Sequence, residues 1–196
     1  MSKQPSPPAP EIPAALTGKS VVLVGLMGAG KTCIGKRLAR KLGMDFVDAD
    51  AEIEAAADRS VSEIFAEFGE QEFRDGERRV IARLLSDRPR VIATGGGAFM
   101  DAETRANARQ HGVSVWLKAD LDVLLRRVSR RNNRPLLQGG DKRLKLKDLM
   151  SQRYPTYAKA DLTVDTGDEP PDSTVQKVYD ALANMDAPAN NSAAAE

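Results

Sequence analysis

Residues 25–32 read Gly25-Leu26-Met27-Gly28-Ala29-Gly30-Lys31-Thr32, and no other stretch restricts the fold as tightly. They follow a short β-branched run, Val21-Val22-Leu23-Val24, which reads as a buried strand. They precede Lys31 to Leu42, whose apolar spacing is helical and whose stop is Gly43. Strand, glycine-rich turn and helix in that order fit the phosphate-loop pattern G-x-x-x-x-G-K-[ST]. Glycines let successive backbone N–H groups curl inward onto phosphate oxygens. The helix start adds the positive end of its dipole. Lys31 can reach the β- and γ-phosphates, and the Thr32 hydroxyl can ligate Mg²⁺. Gly28, Ala29, Gly30, Lys31 and Thr32 are therefore the first candidates for a nucleotide site. Cys33, next in the chain, is counted with them as ATP-binding, and its side chain reads more simply as a small buried packing residue than as a nucleophile.

A strand feeding a phosphate loop implies an α/β architecture, and the rest of the chain agrees. Short apolar runs at Phe46-Val47, Val91-Ile92-Ala93, Val113 to Leu117 and Leu162-Thr163-Val164 alternate with helical patterns. Those patterns cover Ala51 to Ala57, a segment capped by Ser60 or Ser62 and running to Phe68, Gln71 to Leu85, and Asp101 to Gln110. Asp120 to Arg130, Leu144 to Tyr157 and Ser173 to Asn184 complete the set. Such alternation predicts a parallel sheet covered by helices on both faces, with ligands at the carboxyl ends of its strands.

Residues 1–17 carry five of the eleven prolines, at Pro5, Pro7, Pro8, Pro10 and Pro13, and read as an extended arm. The Ala/Asn-rich end, residues 185–196, reads as a frayed tail. One domain is expected over residues 18–184. A formal net charge of +1 argues against bulk attraction to polyanions, and a single cysteine excludes an internal disulfide and fits a reducing compartment. No apolar run approaches the roughly 20 residues of a membrane span, and Lys3 has no apolar stretch behind it, so cytoplasm is the expected location. With no apolar surface stripe evident, a monomer is expected.

The chemistry beyond the phosphate loop rests on charged residues and glycines. The strand Val91 to Ala93 ends in Thr94 and Gly95-Gly96-Gly97 without a carboxylate, so the acidic candidates are Asp48 and Asp50. One could serve the metal and the other an acceptor hydroxyl; an ordinary acidic turn with Asp50 capping the next helix is the alternative. Arg74 offers a rigid fork that matches a carboxylate, and Glu77 stands at helical spacing to brace it. A surface ion pair is the simpler reading of those two alone. Three glycines after a strand suggest close backbone approach by a bound molecule, or a plain turn. From Arg126 to Lys147 there are nine basic residues and one acid, Asp141. With Gly139 and Gly140 this segment suits a closing lid, expected over residues 129–143, that brings an arginine to the γ-phosphate. No aromatic residue interrupts the segment, which argues against a nucleic-acid surface. His111 has no second ligand-type neighbour, and Trp116 reads as core.

Taken in order, these motifs resemble the shikimate kinase family. The resemblance is carried by the phosphate loop, Asp48-Ala49-Asp50, Phe73-Arg74 with Glu77, Gly95-Gly96-Gly97, and Arg134-Pro135-Leu136-Leu137 followed by Arg153-x-Pro155-x-Tyr157. It implies a three-layer fold with a five-stranded parallel sheet, and transfer of phosphate from Mg-ATP to shikimate. By the same resemblance Lys31, Asp50 and Arg134 would be catalytic, Thr32 would bind Mg²⁺, and Asp48 would do so through water. Arg74 and Arg153 would clamp the shikimate carboxylate, and Gly95, Gly96 and Gly97 would close on its ring. Residues 50–80 would form the substrate-binding region. Arg127 would stack on adenine, and the loop from Thr166 to Pro170 would pass along it. Gluconate kinases share this kind of fold, and a non-catalytic nucleotide switch is a reading from another class. Ala49 stands where the family often has a small hydroxyl residue.

Overall fold

The computed structural model describes residues 12–129 and 141–185. Five parallel strands form its centre: β1 (Ser20–Val24), β2 (Asp45–Asp48), β3 (Arg90–Ala93), β4 (Gly112–Lys118) and β5 (Leu162–Asp165). Their spatial order is β2-β3-β1-β4-β5. Seven helices connect and flank them: α1 (Lys31–Leu42), α2 (Ala49–Ala57), α3 (Val61–Asp87), α4 (Ala102–His111), α5 (Leu121–Ser129), α6 (Lys142–Tyr157) and α7 (Pro171–Ala183). Every residue of β1 is buried, as a strand with a neighbour on each side and helices on both faces must be. Helix α1 packs on α7, and α3 packs on α4; right-handed crossovers assign these pairs to opposite faces of the sheet.

The strand order sets the site. Strand β1 lies between β3 and β4, although β2 follows it in sequence. Register places Leu23 beside Ala93, and Ala93 beside Asp48. The carboxyl ends of β1, β3 and β2 therefore stand in a row. The phosphate loop, the glycine triplet and Asp48 emerge side by side, at the point where an open α/β sheet binds its ligand.

Several boundaries differ from the sequence expectation, each for a local reason. Helix α2 begins at Ala49 rather than Ala51, because Asp48, not Asp50, is its N-cap and accepts from the Asp50 backbone N–H at 3.2 Å. The chain is thus already helical at Asp50, so Asp48 and Asp50 do not share one face of an extended strand. Ser60 caps α3 in a reciprocal capping box with Glu63. The two helices expected on either side of Gly69 run together as α3, but Gly69 itself has φ 81° and ψ 176°, which breaks the helical path. The folded body also starts before Gly18. Ala14–Leu16 form a 3₁₀ turn, and Leu16, 2% exposed, joins the core beside α7 and β4. The proline content of that stretch hid a single apolar anchor. Residues 142–143, expected in the lid, open α6 instead, with Asp141 as its N-cap. Residues 130–140, which hold Arg134 and the rest of the expected lid, lie outside the described residues, as do 1–11 and 186–196.

Candidate active site

A cleft of about 1010 Å³ opens over the carboxyl ends of the strands, and nearly all the described candidate residues line it. One half is the phosphate loop. Gly30 is the N-cap of α1 with φ 97°, a left-handed conformation that costs glycine little. Lys31 Nζ folds back over the loop, donating to the carbonyls of Gly25 at 2.7 Å and Leu26 at 3.1 Å. The ammonium is thereby held at the mouth of the loop. Thr32 Oγ1 donates to Asp48 Oδ2 at 2.8 Å. Asp48 thus has two tasks: one oxygen caps α2 and the other faces the loop threonine. A hydroxyl beside a carboxylate at the end of a phosphate loop suits a hard divalent cation. Among the described residues no cluster of three or more His, Cys, Asp and Glu could hold a metal alone. The donor set fits an ion bound chiefly through nucleotide phosphates and water, as Mg²⁺ is.

Arg127 of α5 reaches across the loop. Its Nη1 donates to the carbonyls of Gly28 at 3.1 Å and Ala29 at 3.3 Å, and both terminal nitrogens lie 3.4 Å from Thr166 Oγ1. Nη2 also donates to the Gly167 carbonyl. The arginine pins the phosphate loop to the segment between β5 and α7, where Thr166 and Glu169 border the cleft. Lys177 holds the Glu169 carboxyl down at about 2, with Thr174 assisting. Cys33 is exposed at the edge of the cleft and receives an Arg37 N–H at 3.3 Å, so it is not the buried packing residue its type suggested.

The other half is assembled from α2, α3, α6 and the turn after β3. Here the glycine triplet has a steric cause. A Cβ on Gly95 would lie 2.6 Å from Asp50 Oδ1 and 2.8 Å from Glu77 Oε1. One on Gly96 would lie 3.1 Å from Arg153 Nη1, and one on Gly97 only 2.4 Å from Arg74 Nη1. Each glycine makes room for a different charged side chain, so the turn is a floor on which two carboxylates and two guanidiniums converge. Neither a plain turn nor close approach by a ligand alone accounts for all three.

Arg74 Nη1 donates to Glu77 Oε2 at 2.6 Å and Nη2 to Glu70 at 3.3 Å. Burial works against the Arg74 charge, but Glu77 and then Glu70 more than offset it and raise its pKa. The simple surface ion pair is excluded, because Glu77 is only 3% exposed. Burial pushes the Glu77 carboxyl up despite Arg74, and the nearby Asp50 charge adds to the rise. The depth of Glu77 was not legible in its spacing, which showed only a possible brace. Also unforeseen was an apolar wall of Val61, Phe65 and Phe73 beside Arg74. The Phe65 and Phe73 rings stand 4.5 Å apart, and the Arg74 guanidinium lies 5.2 Å from the Phe73 centroid. Val61 and Phe65, one turn apart on α3, were the available signal, and Phe73 joins them only across the break at Gly69.

Comparison with known proteins agrees with this geometry. The sequence model of one family, shikimate kinase, matches residues 27–183. The shikimate kinase of Caulobacter vibrioides is 59% identical over 169 residues, covering 86% of this chain and 84% of that protein. That of Paramagnetospirillum magneticum is 57% identical over 165 residues, covering 84% and 85%. Among solved structures, shikimate kinase from Acinetobacter baumannii in complex with shikimate superposes with a TM-score of 0.79 at 40% identity, covering 84% of this chain and 93% of that one. A gluconokinase from Sinorhizobium meliloti shares the fold, with a TM-score of 0.60 at 19% identity over 86% of this chain and 93% of that one.

Proposed function

The chain belongs to the shikimate kinase family, and on that premise we propose that it transfers the γ-phosphate of Mg-ATP to the 3-hydroxyl of shikimate, giving shikimate 3-phosphate and ADP. One observation carries the acceptor assignment. Arg74 and Arg153 converge over Gly96 and Gly97, while Asp50 stands over Gly95, all in the cleft that holds the phosphate loop. Two guanidiniums suit a carboxylate, and a carboxylate beside them suits a hydroxyl. The wall of Phe65 and Phe73 favours a compact ring over an open-chain polyol such as gluconate, which has no apolar face to bury.

The residues divide the work. The loop N–H groups and the α1 N-terminus hold the phosphates, and Lys31 leaves the Gly25 and Leu26 carbonyls for the β- and γ-phosphate oxygens. Thr32 would ligate Mg²⁺, with Asp48 reaching it through water; when bound, the ion neutralises phosphate charge. Arg74 and Arg153 hold the ring by its carboxylate and fix the reacting hydroxyl in line with the γ-phosphorus. Asp50 orients that hydroxyl and receives its proton as the new O–P bond forms and the bond from the γ-phosphorus to the ADP oxygen breaks. Arg134, outside the described residues, is assigned to the γ-phosphate by the family resemblance. Arg127 is assigned to adenine on the same ground, and its bonds to both the phosphate loop and Gly167, next to Thr166 at the edge of the cleft, support that role.

We place the protein in the cytoplasm as a monomer that binds neither membrane nor nucleic acid. No helix among the described residues is long and apolar enough to cross a membrane. The test is ADP release from Mg-ATP with shikimate, gluconate, a nucleoside monophosphate or no acceptor. Release that requires shikimate is expected. Release with gluconate alone would move the assignment to a sugar-acid kinase, and none with any acceptor would favour a nucleotide switch. Asp50→Asn separates orientation from proton transfer: near-intact turnover would remove the base role.

A further inference from the structure

Tyr157 ends α6, one helical turn beyond Arg153, and its side chain is fully buried. It does not line the cleft, whereas Gly96 does. Its hydroxyl nevertheless donates to the Gly96 carbonyl. The ring is held from the side by Trp116, 6.0 Å away between centroids, and by Tyr154 at 6.2 Å. Tyr154 is itself anchored by a 2.6 Å bond from its hydroxyl to the Ala119 carbonyl. The phenol oxygen therefore has little freedom to follow the glycine turn. Instead the turn is held to it.

That contact has a consequence on the far side of the peptide. The Gly96–Gly97 bond is planar and trans, so its C=O and N–H point in opposite directions. Anchoring the carbonyl on the buried Tyr157 turns the Gly97 N–H away from α6. Gly96 and Gly97 both line the cleft, where the Arg153 and Arg74 guanidiniums stand over them. With no side chains at 95–97, three glycines would otherwise let this peptide rotate freely. A rotated peptide would present a carbonyl, an acceptor, where a donor is wanted by a hydroxylated ring.

We propose that Tyr157 is a positioning residue for the acceptor: its hydroxyl locks the Gly96–Gly97 peptide so that the Gly97 N–H is presented as a fixed hydrogen-bond donor to a hydroxyl or the carboxylate of the bound shikimate. The proposal rests on the shikimate kinase reading of the site. Burial pushes the Tyr157 hydroxyl's pKa up, although Arg153 opposes the shift, so the group stays a donor through neutral pH. The same hydroxyl is also hydrogen-bonded with Arg153, so one buried phenol sets both the guanidinium and the amide that the acceptor meets.

Tyr157→Phe removes the hydroxyl and keeps the ring. Losing one preorganised donor corresponds to about a tenfold change in affinity. The expected result is a shikimate KM raised about tenfold, with the ATP KM and kcat within about twofold of wild type. A purely structural tyrosine would instead lower Tm and degrade both substrates' parameters together. An unchanged shikimate KM, or changes in both KM values in step with Tm, overturns the proposal. Should the variant fail to fold, hydrogen exchange at the Gly97 amide of the wild-type protein decides. Saturating shikimate is expected to slow that exchange at least tenfold, and equal rates with and without shikimate overturn the proposal. Wild-type protein that releases no ADP with shikimate would refute the functional reading itself, a result distinct from either of these.

Discussion

The two halves of the cleft are built in opposite ways. The phosphate half is one contiguous stretch, residues 25–32, and it binds largely through backbone groups presented by a turn and a helix start. The acceptor half draws Asp50 from α2, Arg74 and Glu77 from α3, the triplet from the end of β3, and Arg153 from α6. Its partners are charged side chains that are partly or wholly buried. A contiguous backbone site depends on local conformation and survives wherever strand, loop and helix form. An assembled site depends on several elements arriving together, and each buried charge in it needs a partner. Substitutions in the first half should therefore strike turnover, and those in the second, Asp50 apart, should strike acceptor affinity or stability.

The largest expected effect is in the phosphate half. Lys31→Ala removes the cation of the loop and should lower kcat roughly a hundredfold or more, as loss of a preorganised charge-stabilising group does. Shikimate binding, measured by calorimetry without nucleotide, should be unaffected. A kcat near wild type would break the division just drawn, because a side chain would then be dispensable where phosphate is held. Next comes Gly97→Ala, whose new methyl would stand 2.4 Å from Arg74 Nη1. Arg74 must yield its place, and the shikimate KM should rise by about one to two orders of magnitude, as loss of a charged contact implies. The ATP KM should hold. A rise in both KM values would mean that the two halves are coupled through the turn.

The same contrast explains what the sequence disclosed. The phosphate loop was legible complete, because its residues are adjacent and each glycine has a backbone reason. Helix α1 was bounded correctly at both ends for the same cause: its start is the loop and its stop is a left-handed glycine at 43. Acceptor residues were legible as types, through a resemblance, but not as an arrangement. Spacing could show that Glu77 lies one turn from Arg74; only packing could show that it is buried beneath Gly95, beside Asp50. The cap at Asp48 was missed because two aspartates stand two residues apart, and the choice depended on where β2 stops pairing with β3. Leu16 was hidden by prolines around it, and Tyr157 stood in a quoted motif without a visible task. Position in sequence carried the backbone half; the side-chain half needed the third dimension.

Gly69 tests the acceptor half as a mechanical unit. It divides α3 between the segment that carries Phe65 and the segment that carries Phe73, Arg74 and Glu77. With φ 81° and ψ 176° its backbone lies where L-residues are strained, and no atom crowds its missing Cβ. Gly69→Ala should therefore cost about 1–3 kcal/mol through backbone strain alone. Denaturant titration reads the loss. An unchanged midpoint would show that α3 straightens without penalty, and the shikimate KM would then report whether Phe65 has moved.

The smallest expected effect is a slope, and it distinguishes burial from pairing in the acceptor half. Glu77 has a carboxyl raised above its ordinary 4.5, because burial outweighs the attraction of Arg74. For an acid whose folded pKa is raised, the unfolded chain ionises first as pH climbs. Its stabilising contribution is then present in full below about 4.5 and is lost as pH rises through the folded value. The groups facing it, Arg74 from α3, Asp50 from α2, and Arg153 and Tyr157 from α6, are common to wild type and Glu77→Gln. Their titrations largely cancel in the difference between the two proteins, and Gln mimics the protonated acid in size. Thermal midpoints taken from pH 4 to pH 8 should show wild type losing ground to Glu77→Gln as pH rises. A gap that moves the other way would mean that Arg74 holds the ionised carboxylate more strongly than burial opposes it. The acceptor half would then resemble the phosphate half after all, with its charge stabilised in advance of any ligand.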